Sequence, residues 1–323
     1  MSAKKLLLVL AAGVAALSLF TGLPARAQAW PTQPIRIIVG FGPGSGIDII
    51  ARELGQAITG PLKQSIVIEN RSGAAGQIAV DHVATAKADG YTVLIVSSTS
   101  ILSQIINTPK TDLQKDFDVL VHAGRIPYVM AVPAALGPTS IQEFIEYARQ
   151  RPGITNFASI EGGLPQYLGE LLKSNGKIDI TGVPYKSTTE GQVDVLAGRV
   201  HVLFTTLASA IPLAKNDRAR IIGVTGERRN PNLPNVPTMI EAGAPYLDLD
   251  ASFYLMVPAG TPRSIIARLN EELSKAQTTK AVVDRFSTQG IALGGGDVAH
   301  ARQNLNREFD RWHQIAKPKA RQG

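Results

Sequence analysis

The chain of 323 residues contains no cysteine. Disulfide bonds and thiolate zinc sites are therefore excluded, and the folded state must depend on its hydrophobic core. A bacterial lipid anchor needs a cysteine and is excluded as well, so we expect a freely soluble protein. A chain of roughly 300 residues is long enough to form two domains.

Motifs that carry catalysis or metal binding are also missing. The five histidines form no H-E-x-x-H pattern, and no G-x-S-x-G sequence marks a nucleophilic serine. The 33 basic residues are dispersed, without the Lys/Arg blocks interleaved with aromatic residues that favour nucleic-acid binding. We therefore expect no enzymatic activity, no cofactor, no metal site and no nucleic-acid partner.

The only long apolar run in the sequence lies within the first thirty residues. Lys4 and Lys5 precede an apolar segment at residues 6–19, and the sequence A-R-A at residues 25–27 has the small-x-small form of a cleavage site. This layout is typical of a secretory signal peptide, since the run is short for a membrane span. We predict cleavage after Ala27 and a periplasmic location. The mature chain then carries 30 basic and 26 acidic residues, and its net charge of +4 suits an anionic ligand.

Strand and helix patterns alternate along the mature chain, which predicts an α/β protein with parallel sheets. The predicted strands cover residues 35–39, 65–69, 92–96, 128–132, 154–159, 182–185, 201–205, 220–225 and 250–257. The predicted helices cover residues 48–58, 79–86, 141–149, 165–174, 189–197, 238–242, 263–277 and 298–315, with an extended linker at 230–237.

The first predicted strand runs into a glycine-rich loop, G-F-G-P-G-S-G at residues 40–46, which opens a helix. Backbone N–H groups at a helix N-terminus attract anions, and glycine allows a ligand to approach closely. Phosphate, carboxylate and dinucleotide ligands all fit this pattern. A second loop at residues 156–165 also runs into a helix. Two such loops predict a ligand held in a cleft between two lobes.

Two other classes of protein share parts of this pattern. An exported dinucleotide-dependent oxidoreductase could use the first loop, but the glycines never complete G-x-G-x-x-G, and export separates the chain from cytosolic cofactors. A surface adhesin would not need two buried anion-binding loops. Both remain alternatives to a receptor.

Several longer motifs occur in a fixed order along the mature chain. They are W-P-T-Q-P-I-R-I-I-V-G-F-G-P-G-S-G-I-D-I-I-A-R (30–52), V-I-E-N-R-S-G-A-A-G (67–76), D-G-Y-T (89–92), V-P-Y-K (183–186), L-P-N-V-P-T (233–238) and V-P-A-G-T-P (257–262). In these motifs the chain resembles the extracytoplasmic solute receptors of the tripartite tricarboxylate transporters, the Bug/TctC family.

The resemblance implies a two-lobed α/β periplasmic binding protein, a Venus flytrap of type II with a sheet flanked by helices in each lobe. It also implies a small carboxylate ligand held by the two cleft loops, and membrane transporter subunits as partners. Because the chain enters the second lobe once and returns once, we place lobe one at residues 28–126 with 249–323 and lobe two at 127–248. We expect a monomer.

The chain departs from the family pattern at several site positions. Ser45 replaces a glycine, Ser187 replaces another, Leu164 stands where Ser or Thr is common, and Thr205 stands where an acidic residue is frequent. These changes suggest a second lobe that is less polar than usual and a ligand that is an aromatic or bulky carboxylate.

The predicted ligand contacts come mainly from the two loops. Asp48 is expected to cap its helix rather than touch an anion, and Lys186 is as easily a surface residue as a contact. The predicted ligand-binding residues are Phe41, Gly42, Pro43, Gly44, Ser45, Gly46, Ser98, Ser159, Ile160, Gly162, Gly163, Leu164, Lys186 and Thr205.

Overall fold

The computed structural model describes residues 30–160 and 163–315. The predicted signal peptide and its cleavage site lie outside the described residues. From Gln33 onward the described residues belong to one compact unit. No helix in this part of the chain is both long enough and apolar enough to cross a bilayer.

The strands occur in the following order along the chain. They are β1 (Ile35–Val39), β2 (Ile66–Asn70), β3 (Thr92–Ser97), β4 (Phe117–Ile126), β5 (Tyr128–Pro133), β6 (Asn156–Ser159), β7 (Thr181–Pro184), β8 (Leu203–Thr206), β9 (Ala219–Val224), β10 (Ala251–Pro258) and β11 (Ala292–Gly295).

Helices alternate with these strands. They are α1 (Gly46–Leu62), α2 (Gln77–Ala84), α3 (Ser98–Asn107), α4 (Ile141–Arg149), α5 (Leu164–Gly176), α6 (Thr188–Leu196), α7 (Leu207–Ala214), α8 (Arg263–Ala276), α9 (Lys280–Thr288) and α10 (Val298–Ile315). Short 3₁₀ turns occur at Ala74–Gly76, Ala134–Leu136 and Pro245–Leu247.

The strands form a six-stranded sheet, a three-stranded sheet and a parallel β6–β7 pair. The first sheet has the order β11-β4-β10-β3-β1-β2 and the second has the order β8-β5-β9. In the first sheet β1 pairs in parallel with β2 and β3, whereas β10 is antiparallel to β3 and β4. In the second sheet β5 is antiparallel to both of its neighbours.

The prediction of parallel sheets is therefore wrong for five of the eight strand pairs in the described residues. Alternation of strands and helices indicates parallel pairing only where each helix returns the chain to the same sheet. Pro127 alone separates β4 from β5, so β4 carries the chain directly into the second sheet, and β10 brings it back. Of these two connecting strands, β10 runs against β1 and β3, whereas β4, which pairs antiparallel with β10, runs in the same direction as β1 and β3.

The sequence places the core of the first sheet on recognisable faces. Ile50, Leu54 and Ile58 repeat at helical spacing on α1 and are fully or almost fully buried. Every residue of β3 is buried, as its apolar character on both faces predicts for a central strand. Leu305 and Trp312 form the buried face of α10.

Several local predictions fail. The chain forms α3, β4, α7, α9 and β11 where no element was predicted. The predicted helix at 238–242 is a single turn, because Thr238 pairs with Val224 and Gly243, with a φ of 71°, ends the turn. The predicted linker at 230–237 folds into successive turns, in which Leu233 N–H donates to Asn230 O and Val236 N–H donates to Leu233 O.

Candidate ligand-binding site

A cavity of about 330 Å³ is bounded by elements of both sheets. We call it the cleft cavity. It is lined by Phe41, Gly42, Pro43, Ser45, Gly46, Ile47, Ser97, Thr99, Tyr128, Ile160, Pro165, Lys186, Ser187, Thr188, Thr189, Glu190, Thr206, Ala251 and Phe253. The N-terminal ends of α1, α3, α5, α6 and α7 all contribute to this lining.

Two of these helix ends, those of α1 and α3, follow adjacent parallel strands of the first sheet. Ser45 is the N-cap of α1 and Ser97 is the N-cap of α3, and neither side chain caps the N–H groups of its own helix. The Ser45 hydroxyl instead donates to Gly42 O at 2.7 Å. The first-turn N–H groups of both helices therefore keep their capacity to donate to an anion.

An ion pair between the buried Asp48 and the half-exposed Arg52 braces the loop before α1. Asp48 accepts hydrogen bonds from Arg52 Nε at 2.9 Å, from Asn70 Nδ2 at 2.9 Å and from Gly44 N–H at 2.9 Å. Asn70 Nδ2 also donates to Phe41 O at 2.8 Å. Burial acts to raise the pKa of Asp48, but the hydrogen bonds outweigh it and the pKa is lowered. Asp48 is thus a charged structural group that fixes the loop.

On the other side of the cavity the starts of α6 and α7 are capped by their own side chains, whereas α5 begins without a side-chain cap. Ser187 Oγ accepts from Glu190 N–H at 3.3 Å, and the Glu190 carboxylate accepts from Lys186 N–H at 3.2 Å, so α6 begins with a capping box. Thr206 Oγ1 caps α7 by accepting from Ser209 N–H at 3.4 Å. These helix ends present hydroxyl groups together with N–H groups that are already partly used.

Two further lining residues are Thr99, in the first turn of α3, and Tyr128, the first residue of β5. Leu164 N–H, at the start of α5, donates to Thr99 Oγ1 at 3.4 Å. Burial raises the pKa of Tyr128 to about 12, although a hydrogen bond with Thr99 opposes this effect. Tyr128 therefore keeps its proton at neutral pH and can donate it to a ligand oxygen.

The structure brings about half of the predicted contact residues to the cleft cavity. Those in the lining are Phe41, Gly42, Pro43, Ser45, Gly46, Ile160 and Lys186. Those outside the lining are Gly44, Ser98, Ser159, Gly163, Leu164 and Thr205. Gly162 lies outside the described residues.

Two of the residues outside the lining are used elsewhere. Ser98 Oγ donates to the buried Glu308 carboxylate at 2.6 Å and accepts from Ser252 N–H at 2.8 Å, so it links α3 to α10. Thr205 is fully buried inside β8, whereas Thr206, the last residue of that strand, reaches the cavity. The sequence pattern ended this strand one residue early and missed α7, so Thr205 was selected in place of Thr206.

The sequence predicts a second lobe that offers few polar groups to the ligand, but the cavity wall on that side contains several. Leu164 is fully buried and does not line the cavity, while residues 187–190 and Thr206 supply hydroxyl and carboxylate groups to that wall. A ring packed against Leu164 therefore has no geometric basis. A preference for an aromatic or bulky acid cannot rest on this residue.

Sequence reasoning predicted α6 to within one residue of its start, but it did not select Thr99, Tyr128 or residues 187–190 as lining residues. Thr99 lies in a helix whose opening, S-T-S, is a weak helix signal. The S-x-x-E spacing of Ser187 and Glu190 was the available signal for the start of α6. Across the described ranges, no group of histidine and acidic residues is arranged to hold a metal ion.

Comparison with known sequences identifies relatives along most of the chain. The sequence profile of the tripartite tricarboxylate transporter family receptor, TctC, matches residues 50–320. A UPF0065 protein of Pseudomonas sp. strain P51, from the tcbD-tcbE intergenic region, is 34% identical over 90% of this chain and 87% of its own length. Protein BugT of Bordetella pertussis is 31% identical over 90% of each chain.

Solved structures share the architecture. A protein of R. palustris determined with adipate has a TM-score of 0.84 and 32% identity, over 89% of this chain and 97% of its own. MatC of Rhodopseudomonas palustris, with bound malate, has a TM-score of 0.83 and 26% identity, over 89% of this chain and all of its own. These are two-lobed periplasmic binding proteins, and the present chain has their fold. From its motifs, its architecture and these relatives, the chain belongs to the TctC family of receptors of the tripartite tricarboxylate transporters.

Proposed function

We propose that the chain is an exported receptor that binds a small carboxylate in the cleft cavity and delivers it to the membrane subunits of a tripartite transporter. One observation carries the ligand class: two helices of the first sheet, α1 and α3, begin at the cavity with no side-chain cap. Donors and helix dipoles directed at one place favour an anion. The adipate and malate in the related structures are small carboxylates, which supports this choice.

The carboxylate is proposed to lie against the starts of α1 and α3, near Ser45, Gly46, Ser97 and Thr99. The neutral Tyr128 hydroxyl donates to the same group. Lys186 is the one cationic side chain that lines the cleft cavity, and it is exposed, so backbone and hydroxyl donors provide most of the recognition. We propose a receptor site and no catalytic activity.

We propose lobes at residues 28–126 with 249–323 and at 127–248, which close around the ligand. The first sheet takes its strands from residues 35–126 and 251–295, and the second sheet takes its strands from residues 128–224. We propose a monomer that is exported to the periplasm after cleavage behind Ala27. Mass spectrometry of the protein recovered from the periplasm measures that cleavage site.

Isothermal titration calorimetry with adipate and with malate tests the proposed function. We expect one binding site, a rise in melting temperature with ligand, and a smaller radius of gyration in solution scattering once the site is saturated. Butylamine and glucose serve as cationic and neutral controls, and neither should bind. Absence of binding by both acids and by a wider set of carboxylates would overturn the proposal.

A further inference from the structure

A second cavity of about 580 Å³ lies beside the cleft cavity. We call it the side cavity. The two cavities share Phe41, Ile160 and Lys186 in their linings. A ligand that fills the cleft cavity and extends past Phe41 and Ile160 therefore enters the side cavity.

The polar side chains of the side cavity are mainly neutral amides and hydroxyls. Asn107 Nδ2 donates to the buried Ser103 hydroxyl at 3.1 Å, and Gln77 Oε1 accepts from Gln104 Nε2 at 3.1 Å. Asn107 makes no other side-chain hydrogen bond among the described residues, so its amide oxygen and second N–H can bind a ligand. An amide provides both a donor and an acceptor in one place.

The surroundings of the side cavity disfavour a second carboxylate. Helix α2 starts there, but Gly76 N–H donates to Gly73 O at 2.9 Å and Gln77 N–H donates to Ala74 O, so the turn uses these donors itself. Gln77 Nε2 also donates to Asp81 at 2.8 Å, which places a negative charge behind the wall. Lys186 is the single cation lining either cavity, and a head carboxylate can already pair with it.

We infer that the ligand is a carboxylic acid with a neutral amide- or hydroxyl-bearing tail, whose head occupies the cleft cavity and whose tail occupies the side cavity. This inference rests on the proposed function, because it takes the carboxylate head as given. It adds that Asn107 and Ser103 select the tail.

A series of acids that differ only in the tail tests the inference. Adipate is short and stays in the cleft cavity, whereas pelargonate, azelate and N-acetylaminocaproate share one longer chain length with an apolar, an anionic and an amide end. We expect calorimetry to give N-acetylaminocaproate roughly three- to tenfold tighter binding than either pelargonate or azelate, the range expected for one or two neutral hydrogen bonds.

Asn107→Leu preserves the size of the side chain and removes its amide. We expect it to abolish the advantage of the amide tail while adipate binds as before. Asn175→Leu makes the same substitution in the last turn of α5, outside both linings, and should leave all four affinities unchanged. Binding of adipate without any preference for the amide tail would overturn the inference and leave the receptor function standing. An amide preference that persists in Asn107→Leu would also overturn it.

Discussion

Four of the five helix ends in the cleft cavity form two pairs that are built differently. Those of α1 and α3, on the first sheet, have no side-chain cap, and the loop before α1 is braced by the buried Asp48 and its ion pair with Arg52. Those of α6 and α7 are capped by Ser187 and Thr206, and residues 189 and 190 are exposed. The first group keeps its donors for a ligand, while the second group uses them locally.

We call the starts of α1 and α3 the uncapped wall and the starts of α6 and α7 the capped wall. The difference between them indicates separate roles. At an uncapped helix end, no capping side chain ties the preceding loop to the first-turn N–H groups. The loop must therefore be held by other interactions. Asp48 and Asn70 hold the loop before α1. Neither residue lines the cleft cavity, so they do not compete with the ligand. The capped wall needs less support of this kind, because side chains already bind part of its first-turn N–H groups.

The largest expected effect follows from removing the brace. We predict that Asp48→Asn lowers the free energy of unfolding by about 2 kcal/mol. The ion pair with Arg52 is lost, and the new NH₂ group faces the donors that surround the buried carboxylate. The substitution should also weaken ligand binding, since the loop at residues 40–45 loses its support. Urea unfolding and calorimetry measure the two effects.

Glu190→Gln on the capped wall is the control for this prediction. Glu190 is exposed and its amide replacement can still accept from Lys186 N–H, so we expect a change within about 0.5 kcal/mol. Equal losses of stability in the two variants would contradict the difference between the walls.

The next effect concerns how closely the two walls approach. A Cβ at Gly46 would lie 3.0 Å from Ile126 Cδ1 and 3.1 Å from Thr206 Oγ1, so Gly46→Ala must push the start of α1 away from Thr206. We predict about tenfold weaker binding of the acid that the wild type binds, equivalent to about 1.4 kcal/mol. Calorimetry measures the loss.

Gly60→Ala lies on the same helix and has no atom within 4 Å of the added Cβ. It should bind the ligand as the wild type does and gain a little stability from better helix propensity. If both alanine variants bind normally, the close approach at Gly46 has no part in the site.

The acid stability of the protein provides a third measurement. The folded-state pKa of Asp48 lies below its ordinary value of 3.8, so its contribution to stability is present above that value. It is lost as the pH falls through the folded-state pKa, with a slope of at most about 1.4 kcal/mol per pH unit. Urea unfolding between pH 5 and pH 2 should therefore decline less steeply in Asp48→Asn than in the wild type. Parallel curves would exclude Asp48 as a contributor.

One helix of each wall could be predicted from the sequence, α1 on the uncapped side and α6 on the capped side, whereas α3 and α7 could not. Glycines mark the turn before α1, and buried apolar residues at helical spacing mark the helix, so the strand, loop and helix were found with small errors at their ends. The capping box of Ser140 and Glu143 likewise fixed the start of α4.

The missed elements depend on tertiary contacts. Helix α3 begins with S-T-S and is stabilised where Ser98 meets Glu308, which lies 210 residues away in the chain. Strand β4 carries Asp118, His122 and Arg125, which hide its apolar pattern, and it is defined by pairing with β10. Thr99 lies on α3 and Thr206 is the N-cap of α7, so the local pattern, which predicted neither helix, could not place these two residues.

The smallest predicted effect concerns Lys186, which lines the cleft cavity from the capped side. The side chain is exposed, so its attraction to a carboxylate is screened by water and salt. We predict that Lys186→Met weakens binding only two- to fivefold, roughly the range measured for exposed ion pairs, and removes most of the salt dependence of the wild-type affinity. Calorimetry from low to physiological salt measures both quantities, with Lys215→Met, outside both cavity linings, as the matched control. If Lys186→Met instead abolished binding, the ammonium group rather than the uncapped ends of α1 and α3 would hold the anion. The capped wall would then supply the dominant charge for anion binding, and the uncapped wall would make the minor contribution.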